Sequence, residues 1–127
     1  MKKEIISAKN APAAVGPYSH AVKAGGVLYT SGQIGLVPET GVLAEGGVSA
    51  QAEQGMKNLG AVLEAAGMSY ENVVKTTLFL ADIADFAVVN EIYAKYFTGE
   101  TPARSCVQAG ALPKGALFEI EAIAVED

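Results

Sequence analysis

Residues 102–125 read PARSCVQAGALPKGALFEIEAIAV. Two extended runs lie in this stretch, Pro102 to Cys106 and Leu117 to Val125, with the turn signal Pro113, Lys114, Gly115 between them. Side chains alternate across an extended chain, so Arg104 and Cys106 fall on one face of the first run. In the second run Glu119, Glu121 and Ile123 share one face, while Phe118, Ile120 and Ala122 share the other. Pairing of the two runs as neighbours would gather an arginine, the single thiol of the chain and two carboxylates on one rigid surface.

Upstream, the β-branched run Val73 to Leu80 reads as a strand. After Asp82, a helix is marked by Phe86, Val89, Asn90, Tyr93 and Phe97 on one face, with Asp82 or Asp85 available as its N-terminal cap. An earlier helix starts near Ser49, where Ala52, Met56, Leu59, Leu63 and Ala66 recur at steps of three and four and Gly67 stands at the end. Gly55 and Gly60 inside it each cost about 1 kcal/mol relative to Ala, which points either to close backbone packing or to tolerance at a surface. Lys3 to Ile6 can form an edge strand ahead of a loop from Asn10 to Pro17. Ala21 to Ala24 and Val27 to Gln33 then flank Gly25 and Gly26 as a hairpin, and another turn follows at Pro38 to Gly41.

The order is three strands, helix, strand, helix, two strands. It predicts an α+β sandwich with a mixed sheet and both helices on one side. The uncovered face is expected to carry Lys75, Thr77, Arg104, Cys106, Glu119 and Glu121 together with Phe79, Ile123 and Val125. Its apolar members point to a homo-oligomer with polar residues in or beside the interface.

A chain of 127 residues predicts one domain spanning 1–127, long enough to bury roughly two thirds of its unfolded surface. Hydrophobic residues make up 50% and charged residues 18%, a globular balance. The net charge of −5 opposes docking on phosphate backbones, so no nucleic-acid partner is expected. One cysteine and one histidine, His20, leave no dense metal-ligand set, and no GxGxxG or GxxxxGK[ST] pattern occurs, so neither metal nor nucleotide cofactor is expected. Residues 1–7 are too short for a signal-peptide core or a membrane span. The cytoplasm is the default compartment.

Arg104 offers a planar fork that can hold a carboxylate by two parallel hydrogen bonds, which suits a small carboxylate substrate. It can equally form an internal ion pair with Glu119 or Glu121, and sequence leaves the two readings level. Glu119 can orient water or move a proton if burial raises its pKa, or it can simply neutralise Arg104. Cys106 has no His or second Cys near it in sequence and reads as a small buried hydrophobe rather than a nucleophile. Asn90 can bridge helix to loop or reach toward a site. Tyr18, after Gly16 and Pro17, can close a pocket or pack on the domain surface. His20 is expected at the surface or at an interface.

In this order the residues resemble the RidA family, also called YjgF, of reactive intermediate deaminases. The likeness runs over essentially the whole chain: Asn10, Ala11, Pro12; Gly16, Pro17, Tyr18, Ser19; Ser31, Gly32, Gln33; Gln51, Ala52; Val74 to Thr77; Phe86, Val89, Asn90, Tyr93; Pro102 to Cys106; and Glu119 to Ala124. The resemblance implies a chorismate-mutase-like fold assembled as a homotrimer, sheets lining a central barrel and a site in each cleft between subunits. It implies hydrolysis of 2-imino acids, such as 2-iminopropanoate and 2-iminobutanoate, to 2-oxo acids and ammonia without a cofactor. On this chain Arg104 would bind the substrate carboxylate, Glu119 would position or activate the attacking water and Tyr18 would enclose the substrate from across the interface. Asn90 and Cys106 would line the same cleft, and Gly32 would offer backbone contact. Thr101 stands where the family commonly has an aromatic residue, and Ala111 where many relatives have an arginine before the Leu-Pro turn; these bear on substrate range and rim charge. A non-enzymatic regulator that binds a 2-oxo acid is the alternative reading.

Overall fold

In the computed structural model, which describes residues 2–127, seven strands form one mixed sheet with two helices on one of its faces. The elements in chain order are β1 (Lys3–Ile6), β2 (Ala21–Ala24), β3 (Val27–Thr30), β4 (Gln33–Ile34), α1 (Gly47–Ala65), β5 (Val73–Leu80), α2 (Phe86–Ala94), β6 (Ala103–Gln108) and β7 (Phe118–Val125). Across the sheet the order is β1-β2-β3-β7-β5-β6, and β4 pairs with β7. The strand expected over 27–33 is thus divided: β3 stops at Thr30, and after Ser31 and Gly32 the chain rejoins β7 through Gln33 and Ile34. The hairpin between β2 and β3 turns on Gly25 and Gly26 at φ 59° and 79°, the positive values that only glycine adopts at no steric cost.

Both helices bury their apolar stripes against the same face. Met56, Leu59, Val62 and Leu63 of α1 and Val89 and Tyr93 of α2 share one core with Leu28, Leu78, Leu80, Phe118, Ile120 and Ala124. Gly55 and Gly60 mark two close approaches of α1 to its neighbours. A Cβ at Gly55 would lie 2.6 Å from the Phe118 ring, and one at Gly60 would meet the Tyr70 hydroxyl, which donates to the Met56 carbonyl at 2.5 Å. The end of α1 is closed by the Gly67 N–H to the Glu64 carbonyl and the Met68 N–H to the Leu63 carbonyl, with Gly67 at φ 74°. Asp82 accepts the Ala84 N–H at 2.9 Å and heads the short turn that leads into α2. Asp85 stands at the N-terminal position of α2 without a side-chain bond.

The runs ending in Cys106 and Val125 are not neighbours. A strand that leaves through a helix returns parallel to itself and beside itself, and β6 accordingly pairs parallel to β5, while β7 takes the other edge of β5 in antiparallel sense. The registers then sort the side chains. Arg104 and Cys106 lie opposite Thr76 and Leu78, both buried beneath the helices, whereas Glu119 and Glu121 lie opposite Phe79 and Thr77. Lys75, Thr77, Phe79, Glu119, Glu121, Ile123 and Val125 do share the uncovered face. Arg104 and Cys106 belong to the helix-covered face instead, because the pairing partner on β5 sets the parity of each strand.

Candidate functional site

The residues singled out in the sequence collect in two places. Tyr18, Gly32 and Glu119 line a cleft of about 430 Å³, together with Pro12, Ile34 and Lys114. Glu119 is carried by β7 opposite Ile34 of β4, beside the break between β3 and β4. Within that break Gly32 leaves room for the side chain: a Cβ on it would run into the Glu119 carboxylate. Partial burial, and after it the nearby Glu121 carboxylate, push the Glu119 pKa up. Among the described residues no ion pair engages Glu119. The Tyr18 side chain is half-exposed at the cleft wall, close enough to Gly16 that a Cβ there would lie 3.6 Å from its ring.

The second place is the helix-covered side of the edge strand β6. There Arg104 Nη1 donates to Asn90 Oδ1 at 2.5 Å. The guanidinium carbon is 4.9 Å from the Tyr93 ring centroid and 5.2 Å from that of Phe86, both within cation–π range. Phe86, Asn90 and Tyr93 follow at steps of four and three, so one stripe of α2 supplies the amide and both rings. Tyr93 is itself fixed by a 2.8 Å hydrogen bond between its hydroxyl and that of buried Thr76, and burial raises its pKa. Asn90, Tyr93, Pro102 and Arg104 border a second cavity of about 380 Å³.

Neither Glu119 nor Glu121 forms an ion pair with Arg104 among the described residues. The guanidinium is oriented by an amide and two rings and keeps donors in hand. Cys106 lies two residues along on the same face, half-buried; burial pushes its thiol pKa up and outweighs the opposing pull of Arg104. Asn90 orients Arg104 rather than bridging helix to loop. Each group can therefore do one part of a reaction: an unpaired fork for an anion on one side, a carboxylate with raised proton affinity on the other.

Sequence reasoning placed Phe86 and Tyr93 on the apolar face of a helix without foreseeing that they flank Arg104. The available signal was the lone amide of Asn90 inside that stripe. It also passed over Asn58 and gave Gln51 no role beyond the resemblance, though both secure the cleft from behind. Asn58 Nδ2 donates to the Ile34 and Leu36 carbonyls at 3.0 and 2.8 Å, and Gln51 Oε1 accepts the Leu117 N–H at 2.8 Å. His20, expected at the surface or at an interface, is buried, because both ring nitrogens have backbone partners inside the loop after β1. Among the described residues no group of three or more His, Cys, Asp and Glu could hold a metal ion, and no helix is long and apolar enough to cross a membrane.

The family model described as Endoribonuclease L-PSP matches residues 8–126. A Mus musculus protein named 2-iminobutanoate/2-iminopropanoate deaminase is 55% identical over 124 residues, covering 98% of this chain and 92% of the relative. Reactive Intermediate Deaminase A, chloroplastic, from Arabidopsis thaliana is also 55% identical over 124 residues, and the chain spans 66% of its length. A crystal structure of a protein of unknown function of the conserved Rid protein family from Yersinia pestis superposes with a TM-score of 0.96 at 51% identity, covering 98% of this chain and 100% of that one.

Proposed function

The chain belongs to the Endoribonuclease L-PSP family, and we propose that within it this protein hydrolyses reactive 2-imino acids, 2-iminobutanoate and 2-iminopropanoate, to 2-oxo acids and ammonia. The observation that carries this reading is Arg104: a guanidinium aimed by Asn90, flanked by two rings and free of a carboxylate partner among the described residues. Such a fork suits the carboxylate common to these substrates.

The chemistry asks little more. The carbon of a protonated imine is already electrophilic, so orientation and modest proton transfer suffice. Glu119 accepts a proton from water as the oxygen bonds to that carbon. The same proton then passes to the nitrogen, the regenerated Glu119 carboxylate takes the hydroxyl proton as the C–N bond breaks, and the departing ammonia carries that proton off as ammonium, leaving the 2-oxo acid. A carboxylate whose pKa is raised by burial is a better acceptor for this step than an ordinary surface one. Tyr18 walls the substrate and Gly32 lets Glu119 approach. Cys106 lines the arginine side and forms no covalent bond.

Arg104 and Glu119 act together only when two copies meet, the arginine side of one chain against the glutamate cleft of the next. Such a head-to-tail contact gives a ring where its rotation closes, and a closed ring of three copies is what the resemblance implies. The uncovered sheet face, with Tyr29, Phe79, Ile123 and Val125 among its members, would then line the centre. The unpaired single thiol fits a reducing compartment such as the cytoplasm.

The test is direct. With 2-aminoacrylate generated by a serine dehydratase, the purified protein accelerates release of the 2-oxo acid. No acceleration, with tight binding of a 2-oxo acid by calorimetry, would replace the enzyme by a ligand-binding regulator.

A further inference from the structure

His20 is the only histidine of the chain and is 6% exposed. Its Nδ1 accepts the Ala8 N–H at 2.9 Å, and its Nε2 meets the Pro12 carbonyl at 2.7 Å. An amide N–H can only donate and a carbonyl can only accept, so Nδ1 serves as the acceptor and Nε2 as the donor. The His20 carbonyl in turn accepts the Ser31 N–H at 2.9 Å, and the Ser31 hydroxyl donates to the Ser19 carbonyl at 2.6 Å. Ser31 precedes Gly32, over which the Glu119 carboxylate lies.

One residue thus ties three points of the chain. Its ring holds Ala8 and Pro12 at the start of the loop between β1 and β2, and its backbone holds the floor of the cleft. The stretch from residue 13 to residue 18 is slung between these anchors. Ala13, Val15 and Tyr18 of that stretch line the cleft with Glu119, yet Val15 is 71% exposed. Inside it the Tyr18 N–H bonds back to the Gly16 carbonyl, a local contact that anchors nothing to the sheet.

We propose that His20 is a positioning residue, a clasp that closes residues 13–18 over the cleft and so sets Tyr18 at the wall of the site. The proposal rests on reading the cleft as part of the deaminase site. An imidazole suits the task because its two nitrogens serve groups of opposite sense. An apolar side chain would leave a buried N–H and a buried carbonyl without partners. The strap would then be ordered only when substrate binds, which weakens binding more than turnover.

Amide hydrogen exchange and steady-state kinetics on His20→Ala, His20→Gln and the unchanged protein test this. In His20→Ala, exchange in peptides covering residues 8–20 speeds up about tenfold or more while α1 is unaffected. KM for the imine rises about tenfold and kcat falls less than about threefold. His20→Gln, whose amide again supplies one donor and one acceptor, recovers most of both. Unaltered exchange over residues 8–20 in His20→Ala overturns the proposal, as does a loosened strap with KM unmoved in an active enzyme. Should His20→Ala not fold, His20→Gln decides: near-normal exchange and KM support the clasp, and a loose strap overturns it. An unchanged protein without imine turnover overturns the deaminase reading, and the exchange results alone then decide the clasp.

Discussion

Arg104 and Glu119 stand on opposite faces of one sheet. Arg104 lies opposite Thr76 of β5 and Glu119 opposite Phe79, three residues further along. Three is an odd step, and an odd step along a strand changes face. Their own strands are separated by β5, so about 10 Å of sheet lies between the two backbones. Within one copy they cannot grip the same small molecule. The proposed reaction therefore makes each site the joint product of two copies.

Shared sites give a complementation test. Arg104→Ala and Glu119→Ala copies, each at about a tenth of full activity or less alone, reach about a quarter of full activity when refolded together in equal amounts, because half of the arginine sides and half of the glutamate sides are intact in a random ring. Imine turnover of the mixture measures it. A mixture as inactive as its components would place both groups in one copy or outside the site.

Arg104→Ala removes a charge-assisted contact of about 1.5–3 kcal/mol, a loss of about 10- to 150-fold in kcat/KM. Arg104→Lys recovers little, because a point charge cannot reproduce a planar fork seated between Phe86 and Tyr93. Asn90→Ala, which frees the guanidinium to rotate, costs about fivefold, chiefly in KM.

The raised pKa of Glu119 sets two pH dependences. The carboxylate form accepts the proton from water, so turnover falls as pH drops through that raised value, and the acid limb lies above the ordinary carboxylate range. The folded chain holds this proton more tightly than the unfolded chain. Stability from that grip is present below the unfolded pKa and is lost as pH rises through the folded one. Glu119→Gln therefore raises urea resistance at neutral pH relative to the unchanged protein. The two converge on the acid side, and a constant difference at all pH values would show that burial of the charge is not the cause.

Two glycines separate site from scaffold. Gly55→Ala drives a methyl toward the Phe118 ring, 2.6 Å from the new atom, and costs about 1–3 kcal/mol of stability. At Gly32 the obstacle is the end of a side chain, the Glu119 carboxylate, which can swing away. Gly32→Ala accordingly loses more than about tenfold in activity, while its Tm stays within about 4 °C of the unchanged protein. Thermal melts beside turnover assays distinguish the two.

Cys106 lies two residues beyond Arg104 on the helix-covered face, with a thiol that burial keeps protonated. Alkylation by iodoacetamide is slower than for a small free thiol at the same pH. Cys106→Ser keeps turnover within about threefold.

Much of this was legible from local patterns. The α1 stripe from Ala52 to Ala66, its end at Gly67, the Gly25–Gly26 turn and the run Val73 to Leu80 all follow from rules that act over a few residues. The residue types of the site were legible too, since Arg104, Glu119, Asn90 and Tyr18 each stand out against their neighbours. Less visible were Asn58 and Gln51, whose amides matter only because β4 and the start of β7 pass within reach. His20 was misjudged for the same reason, its partners being 8 and 12 residues away in the loop.

Backbone preference and hydrophobic period set each strand and helix within its own span, and they set which residues alternate. They are silent on which strand lies beside which. Insertion of β5 between β6 and β7 came from the parallel return of the chain through α2 to one edge of β5 and the antiparallel pairing of β7 at the other, a long-range event. That single placement turned Arg104 away from Glu119, gave it Asn90, Phe86 and Tyr93 as company, and divided one apparent site into two halves. Parity along a strand is local, but parity between strands depends on register, and register is fixed only when the whole sheet assembles.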